Sequence, residues 1–140
     1  MESFTEFIYF KLGTALRKTQ KQFNYRYARE YGITVAQSFI LFSLLECDGM
    51  NIKKLAERLS IDNSAITGLI DRLVKEGLVE RRVDPEDRRA FRIFLTDKGC
   101  EMAERVYPIA HGFNEQLKSV LTPEQQSALN NLLEVIDRIE

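Results

Sequence analysis

Apolar positions recur along this chain at two periods, and their spacing divides it into helix, helix, helix, helix, hairpin, helix, helix. Ser3 with Glu6 forms a capping-box pattern, and Phe4, Ile8, Leu12, Ala15, Phe23 and Tyr27 follow it up to a stop at Gly32. One helix of about 28 residues, about 42 Å long, is predicted there. Thr34 caps a second helix, VAQSFILFSLLE, closed by Asp48-Gly49; it is apolar round most of its circumference and should lie deep in the core. Asn51 caps a short third helix with Ile52, Leu55, Ala56 and Leu59 on one face. After the interruption Ser60-Ile61-Asp62, a fourth runs from about Asn63 to Glu76 and stops at Gly77.

The next segment, LVERRVDPEDRRAFRIFLT, reads as two β-rich strands around a turn at Asp84-Pro85-Glu86-Asp87. Thr96 then caps a long helix in which Val106, Ala110, Phe113, Leu117 and Val120 form a heptad seam, with Pro108 predicted to kink it. Thr122-Pro123-Glu124 starts the last helix, which carries Leu129, Leu132, Leu133, Ile136 and Ile139 on one side. The fold class is therefore mainly α with a small β-hairpin wing. Residues 33–96 form a winged helix-turn-helix, and residues 1–32 and 97–140 have more apolar surface than one small winged domain can cover. Both terminal parts read as homodimerisation helices.

Length and charge narrow the function. At 140 residues, with 44% hydrophobic and 29% charged residues of mixed sign, the chain reads as one globular domain, or one domain with an appended interaction element. No apolar run suffices to cross a bilayer and the N-terminus lacks a signal-peptide pattern, so a cytoplasmic protein without a membrane partner is expected. Two cysteines and one histidine make neither a disulfide framework nor a zinc site. No nucleotide-binding, zinc-protease or nucleophile-elbow motif occurs, so no cofactor, metal or catalytic residue is expected, and the chain does not read as an enzyme. The net charge of -1 hides +2 over residues 51–98 and -4 over residues 99–140. Five of twelve arginines lie between Arg81 and Arg92.

On the fourth helix, Leu69, Ile70 and Leu73 fall on the side of Ile66. Ser64, Gly68, Asp71 and Lys75 cluster opposite, flanked by Thr67 and Arg72. Every amphipathic helix has a polar face, but this one is made of short groups edged by cations, the shape a major groove admits. An exposed mid-helix glycine costs roughly 1 kcal/mol relative to alanine, and close backbone approach to another surface would explain Gly68. Arg88 and Arg89 beside Glu86 and Asp87 could be a solvated, salt-bridged turn. Directly behind a recognition helix, the same hairpin overhangs the neighbouring minor groove, where a planar, weakly hydrated guanidinium is suited to insert.

Ser64 to Gly99, SAITGLIDRLVKEGLVERRVDPEDRRAFRIFLTDKG, resembles the signature of the MarR (multiple antibiotic resistance regulator) family. The resemblance lies in the recognition helix, the GLVERR strand, the DPxDRR tip and the LTxKG helix entry; it extends more weakly over the whole chain. It implies a dimeric winged-helix regulator of a palindromic operator in double-stranded DNA. Carried over, Ser64, Thr67, Gly68, Asp71 and Arg72 face the major groove; Lys75, on the same polar face by spacing, is read as a further DNA contact. Arg88 and Arg89 serve the minor groove with Asp87 positioning them, and Thr34, Gln37 and Ser38 offer helix-start amides to phosphate. The family often binds small aromatic acids between the dimer helices and the winged domain, but Tyr9, Arg17, Phe39 and Phe42 read first as ordinary core or surface residues. Oxidant sensing through a first-helix cysteine has no counterpart here; Cys47 and Cys100 read as a buried small hydrophobe and an incidental helix residue. Two rivals are a protein-interaction module, against which the arginine wing argues, and an enzyme, for which no nucleophile, base and orienting partner cluster.

Overall fold

The structure, a computed structural model, describes residues 1–139; Glu140, the last residue of the predicted 97–140 dimerisation segment, lies outside the described residues. The chain divides into two compact units, Met1–Tyr107 and Pro108–Glu140. The first holds the N-terminal helices and the winged helix-turn-helix.

The predicted first helix is broken. A 3-10 turn, Phe4–Glu6, is followed by extended Phe7 at φ -62°, ψ 132°, and only then by α1, Ile8–Glu30. The capping box does not form: Ser3 Oγ accepts from the amide of Thr5, while Glu6 pairs with Lys11 at 2.6 Å. Gly32, at φ 69°, lies just past the end of α1.

Helix α2, Val35–Glu46, has the predicted bounds because its cap is strong. Thr34 Oγ1 accepts from the Gln37 amide at 3.3 Å and Gln37 Oε1 accepts from the Thr34 amide at 2.8 Å. Ile40, Leu41 and Leu44 on α2 are fully buried with Tyr27 of α1 and with Ile33. Burying each such side chain stabilises the fold by about 1.5–3 kcal/mol. Tyr27 meets Phe23 edge-on at 4.0 Å, and burial first, then Tyr31, pushes its phenol above the usual tyrosine range.

After α2 come β1, Met50–Asn51; α3, Ile52–Leu59; α4, Asn63–Lys75; β2, Val79–Val83; and β3, Phe91–Leu95. The helices add Leu55, Ile66, Ile70 and Leu73 to the same core, and the sheet adds Ile93. The sheet is antiparallel in the order β1-β3-β2, with Met50 opposite Ile93 and Arg81 opposite Ile93 on the other side. Strand β1 is not expected from the sequence. It is held by the Gly49 amide donating to Ile93 O at 3.0 Å and by Asp48 Oδ1 accepting from the Leu95 amide at 2.9 Å.

Helix α5, Asp97–Ser119, runs through Pro108, and Thr96 caps it through the Gly99 amide at 3.0 Å. In the second unit α6, Pro123–Asp137, starts at Thr122-Pro123 as predicted, and Thr122 forms a capping box with Gln125. Leu129, Leu132, Leu133, Val135 and Ile136 of α6 are all exposed in the single chain.

Candidate nucleic-acid interface

The turn between α3 and α4 is made by Ser60, which caps α3 in the left-handed region at φ 51°. Asp62 then caps α4, accepting from the Ala65 amide at 2.7 Å and the Ser64 hydroxyl at 2.8 Å. These bonds, the Ala65 amide first, hold its carboxyl below the usual carboxylate range. Ile66, Ile70 and Leu73 are buried, whereas Ser64, Thr67, Gly68, Asp71, Arg72 and Lys75 are all exposed. The structure therefore brings these six onto one open face. A Cβ built on Gly68 would meet nothing within 4 Å, so the glycine fills no internal packing need among the described residues. Thr67 donates back to Asn63 O at 2.7 Å and keeps its lone pairs outward.

The five clustered arginines separate into two groups. Arg81 donates to Asp71, tying the wing strand to α4. Arg82 is bonded to Glu80 and stacks over Phe94 at 4.2 Å. Arg92 lies directly across from Arg82, a like-charge pairing that costs energy unless screened; Asp84 Oδ2 lies 3.3 Å from its Nε. Arg88 and Arg89 remain at the exposed tip, and among the described residues neither guanidinium is ion-paired. Three arginines build the wing and two project from it.

The sequence assigns Asp87 to orienting those two side chains. In the structure its Oδ1 accepts from the backbone amide of Arg89 at 3.0 Å, so it fixes the turn's backbone. The residue that braces the tip is Asp84, 6% exposed, which accepts from the Glu86 amide at 2.9 Å and pairs with Arg92. The Glu86 bond first, and then Arg92, hold its carboxyl below the usual range. Sequence reasoning places Asp84 only in a turn; the signal is an aspartate two residues before a turn amide.

Thr34, Gln37 and Ser38 sit at the start of α2. Gln37 and Ser38 are buried, at 2% and 0% exposure, and Ser38 Oγ donates to Val35 O at 2.6 Å. The helix-start amides have internal partners: Val35 donates to Asn24 Oδ1, Gln37 to Thr34 Oγ1 and Ser38 to Thr34 O. Gln37 and Ser38 thus brace this end of α2, and a phosphate there would share or displace those bonds. Cys47, read as buried, is in fact exposed at the end of α2, because the helix stops at Glu46 and turns its cap outward.

One junction fixes the helix-turn-helix to α5. Thr96 donates its amide to Leu78 O at 3.2 Å and its hydroxyl to Gly77 O at 2.6 Å, and Lys98 Nζ reaches Glu76 O at 2.8 Å. Gly99 completes the clamp: a Cβ there would lie 1.8 Å from Leu78 O. The LTDKG segment is therefore the joint between the end of α4 and the start of α5. Among the described residues no cluster of histidine, cysteine or carboxylates could hold a metal, and no helix is long and apolar enough to cross a membrane.

Comparison with known proteins agrees with this geometry. The MarR family model matches residues 33–91, the winged helix-turn-helix. Over 107 residues the chain is 32% identical to the organic hydroperoxide resistance transcriptional regulator of Bacillus subtilis, covering 74% of this chain and 72% of that protein. The chain belongs to the MarR family. As a MarR-family protein it is a DNA-binding, winged helix-turn-helix transcriptional regulator and not an enzyme. It is also similar to the transcriptional repressor MdtR of Bacillus subtilis, 34% identical over 94 residues, covering 67% of this chain and 61% of that one. Its fold is similar to that of a mutant MarR from E. coli complexed with operator DNA, with TM-score 0.84 and 28% identity over 97% of this chain and 99% of that one.

Proposed function

We propose that this MarR-family chain is a homodimeric repressor of a palindromic operator. Each copy lays the open face of α4 in a major groove and its Arg88–Arg89 tip in the flanking minor groove. The observation that carries this reading is the division of the arginine cluster. Three members are spent on the wing's own structure, while two exposed guanidiniums stand at the tip of a hairpin that follows the recognition helix after Glu76-Gly77-Leu78. On α4, Ser64 and Thr67 suit phosphate or base edges, Arg72 suits guanine or phosphate, and Lys75 suits phosphate. Thr34 is the outward member of the α2 cap and suits a phosphate contact at that end.

Dimerisation is supported by exposed apolar surface. Leu129, Leu132, Leu133, Val135 and Ile136 on α6, and Phe4, Ile8 and Leu16 near the start of the chain, are 37–74% exposed, more than an isolated chain would keep in water. Two copies read half-sites about 10 base pairs apart, and occupation of a promoter by the pair excludes polymerase. MdtR is named a repressor, which favours that sign of regulation here. Release by a small aromatic ligand is favoured by the half-open aromatic group in which Phe42 meets Tyr107 edge-on at 5.2 Å, with Phe39 beside it and 45% exposed.

The test is a titration of labelled duplex from upstream of the protein's own coding sequence. Wild type is expected to bind cooperatively, with affinity falling steeply as salt rises, and benzoate as a probe acid to weaken it. Equal affinity for this fragment and for scrambled duplex would overturn operator recognition.

A further inference from the structure

Helix α4 carries a single carboxylate, Asp71, and it stands on the exposed face three residues beyond Gly68. On a surface meant for phosphates a carboxylate is unfavourable unless it does something a neutral group cannot. The structure gives it a dedicated partner. Arg81 lies opposite the buried Ile93, on the sheet face turned toward the core, and that register carries its guanidinium across to Asp71 Oδ1. With side chains 27% and 56% exposed, such a pair adds little to stability. It does fix the carboxylate's position and neutralise its charge as it nears DNA.

We infer, building on the operator reading above, that Asp71 reads a cytosine in each half-site and that Arg81 is its positioning residue. The chemistry selects the base. A carboxylate only accepts hydrogen bonds, and in the major groove only the amino groups of cytosine and adenine donate. Adenine presents its amino group beside the N7 acceptor, which repels a carboxylate; cytosine presents a donor alone. Guanine and thymine offer acceptors and are rejected. Gly68 removes the side chain that would hold this part of α4 away from the bases.

The experiment selects duplexes from a random pool with the full-length wild type, Asp71→Asn, Asp71→Ala, Arg81→Ala and Arg81→Lys. Asp71→Asn is isosteric at an exposed position, so folding is not at stake. Wild type is expected to enrich one cytosine per half-site with a preference on the order of 10- to 100-fold. Asp71→Asn moves that preference to adenine, whose N6 and N7 an amide matches. Asp71→Ala leaves that position blank and the others intact. Arg81→Ala lowers discrimination at that position only, and Arg81→Lys restores part of it. If the pair is merely a brace, the variants weaken all sequences alike and leave the enriched motif unchanged, which overturns the inference while the operator reading stands. A wild type that enriches no motif overturns the operator reading itself.

Discussion

Replacing Gly68 by alanine separates stability from DNA binding, because the two should move in opposite directions. Gly68 has an ordinary helical backbone; the positive-φ glycines are Gly32, Gly49 and Gly77. The added methyl would enter open space, with no atom within 4 Å. In the middle of α4, alanine should therefore stabilise the chain by about 0.5–1 kcal/mol, since glycine loses more backbone entropy on folding. For a domain of this size that raises the melting temperature by roughly 2–5 °C. On DNA, under the proposed docking, the same methyl would stand between the helix backbone and the base edges, beside Ser64, Thr67 and Asp71. Loss of close approach is expected to weaken operator binding about tenfold, the equivalent of about 1.4 kcal/mol. Thermal unfolding followed by circular dichroism, and anisotropy titration of a labelled operator, read the two effects on one sample. Operator affinity that stays level or rises with stability would show that this face never comes within a methyl's reach of the bases.

The same geometry sets four further outcomes. Arg88→Ala and Arg89→Ala should each weaken binding and reduce the slope of log affinity against log salt by about 0.9 for each phosphate no longer neutralised, measured by titration at several salt concentrations; an unchanged slope removes that arginine from the interface. Leu132→Glu with Leu133→Glu changes side chains 57% and 48% exposed in the single chain, so helicity should persist while sedimentation shows single chains and DNA affinity drops at least about 100-fold. Gly99→Ala forces a methyl against Leu78 O and should cost at least about 1–3 kcal/mol in chemical denaturation; wild-type stability would contradict the clamp. The Asp84 carboxyl titrates below its unfolded value in the wing, so its contribution is present above the unfolded value and lost as pH falls through the folded one. Hydrogen exchange of the tip amides should accelerate in that acidic range in wild type, and Asp84→Asn should abolish the step.

Much of the fold is legible in the sequence because its signals are local. The Thr34 cap and the apolar run after it define α2, the 100° step defines the two faces of α4, and Thr122-Pro123 defines the start of α6. The failures required information from elsewhere in the chain. A two-residue strand has no period, and Met50-Asn51 becomes β1 only because Ile93 and Arg92 stand opposite. The Ser3–Glu6 pattern has the form of a cap, but Glu6 is drawn to Lys11 and the chain straightens at Phe7. At the site, the polar face and the exposed tip can be read from spacing alone. The partners of Arg81, Arg82 and Arg92 cannot, because strand register decides which carboxylate each one meets.

Methylation protection of guanine N7 on the selected operator tests paired major-groove docking most directly, since that atom lies on the groove edge a recognition helix covers. Two protected windows, centred about 10 base pairs apart and lost together in the Leu132→Glu, Leu133→Glu variant, are expected. A single window, or protection that survives when the chains are separated, would contradict docking by a pair.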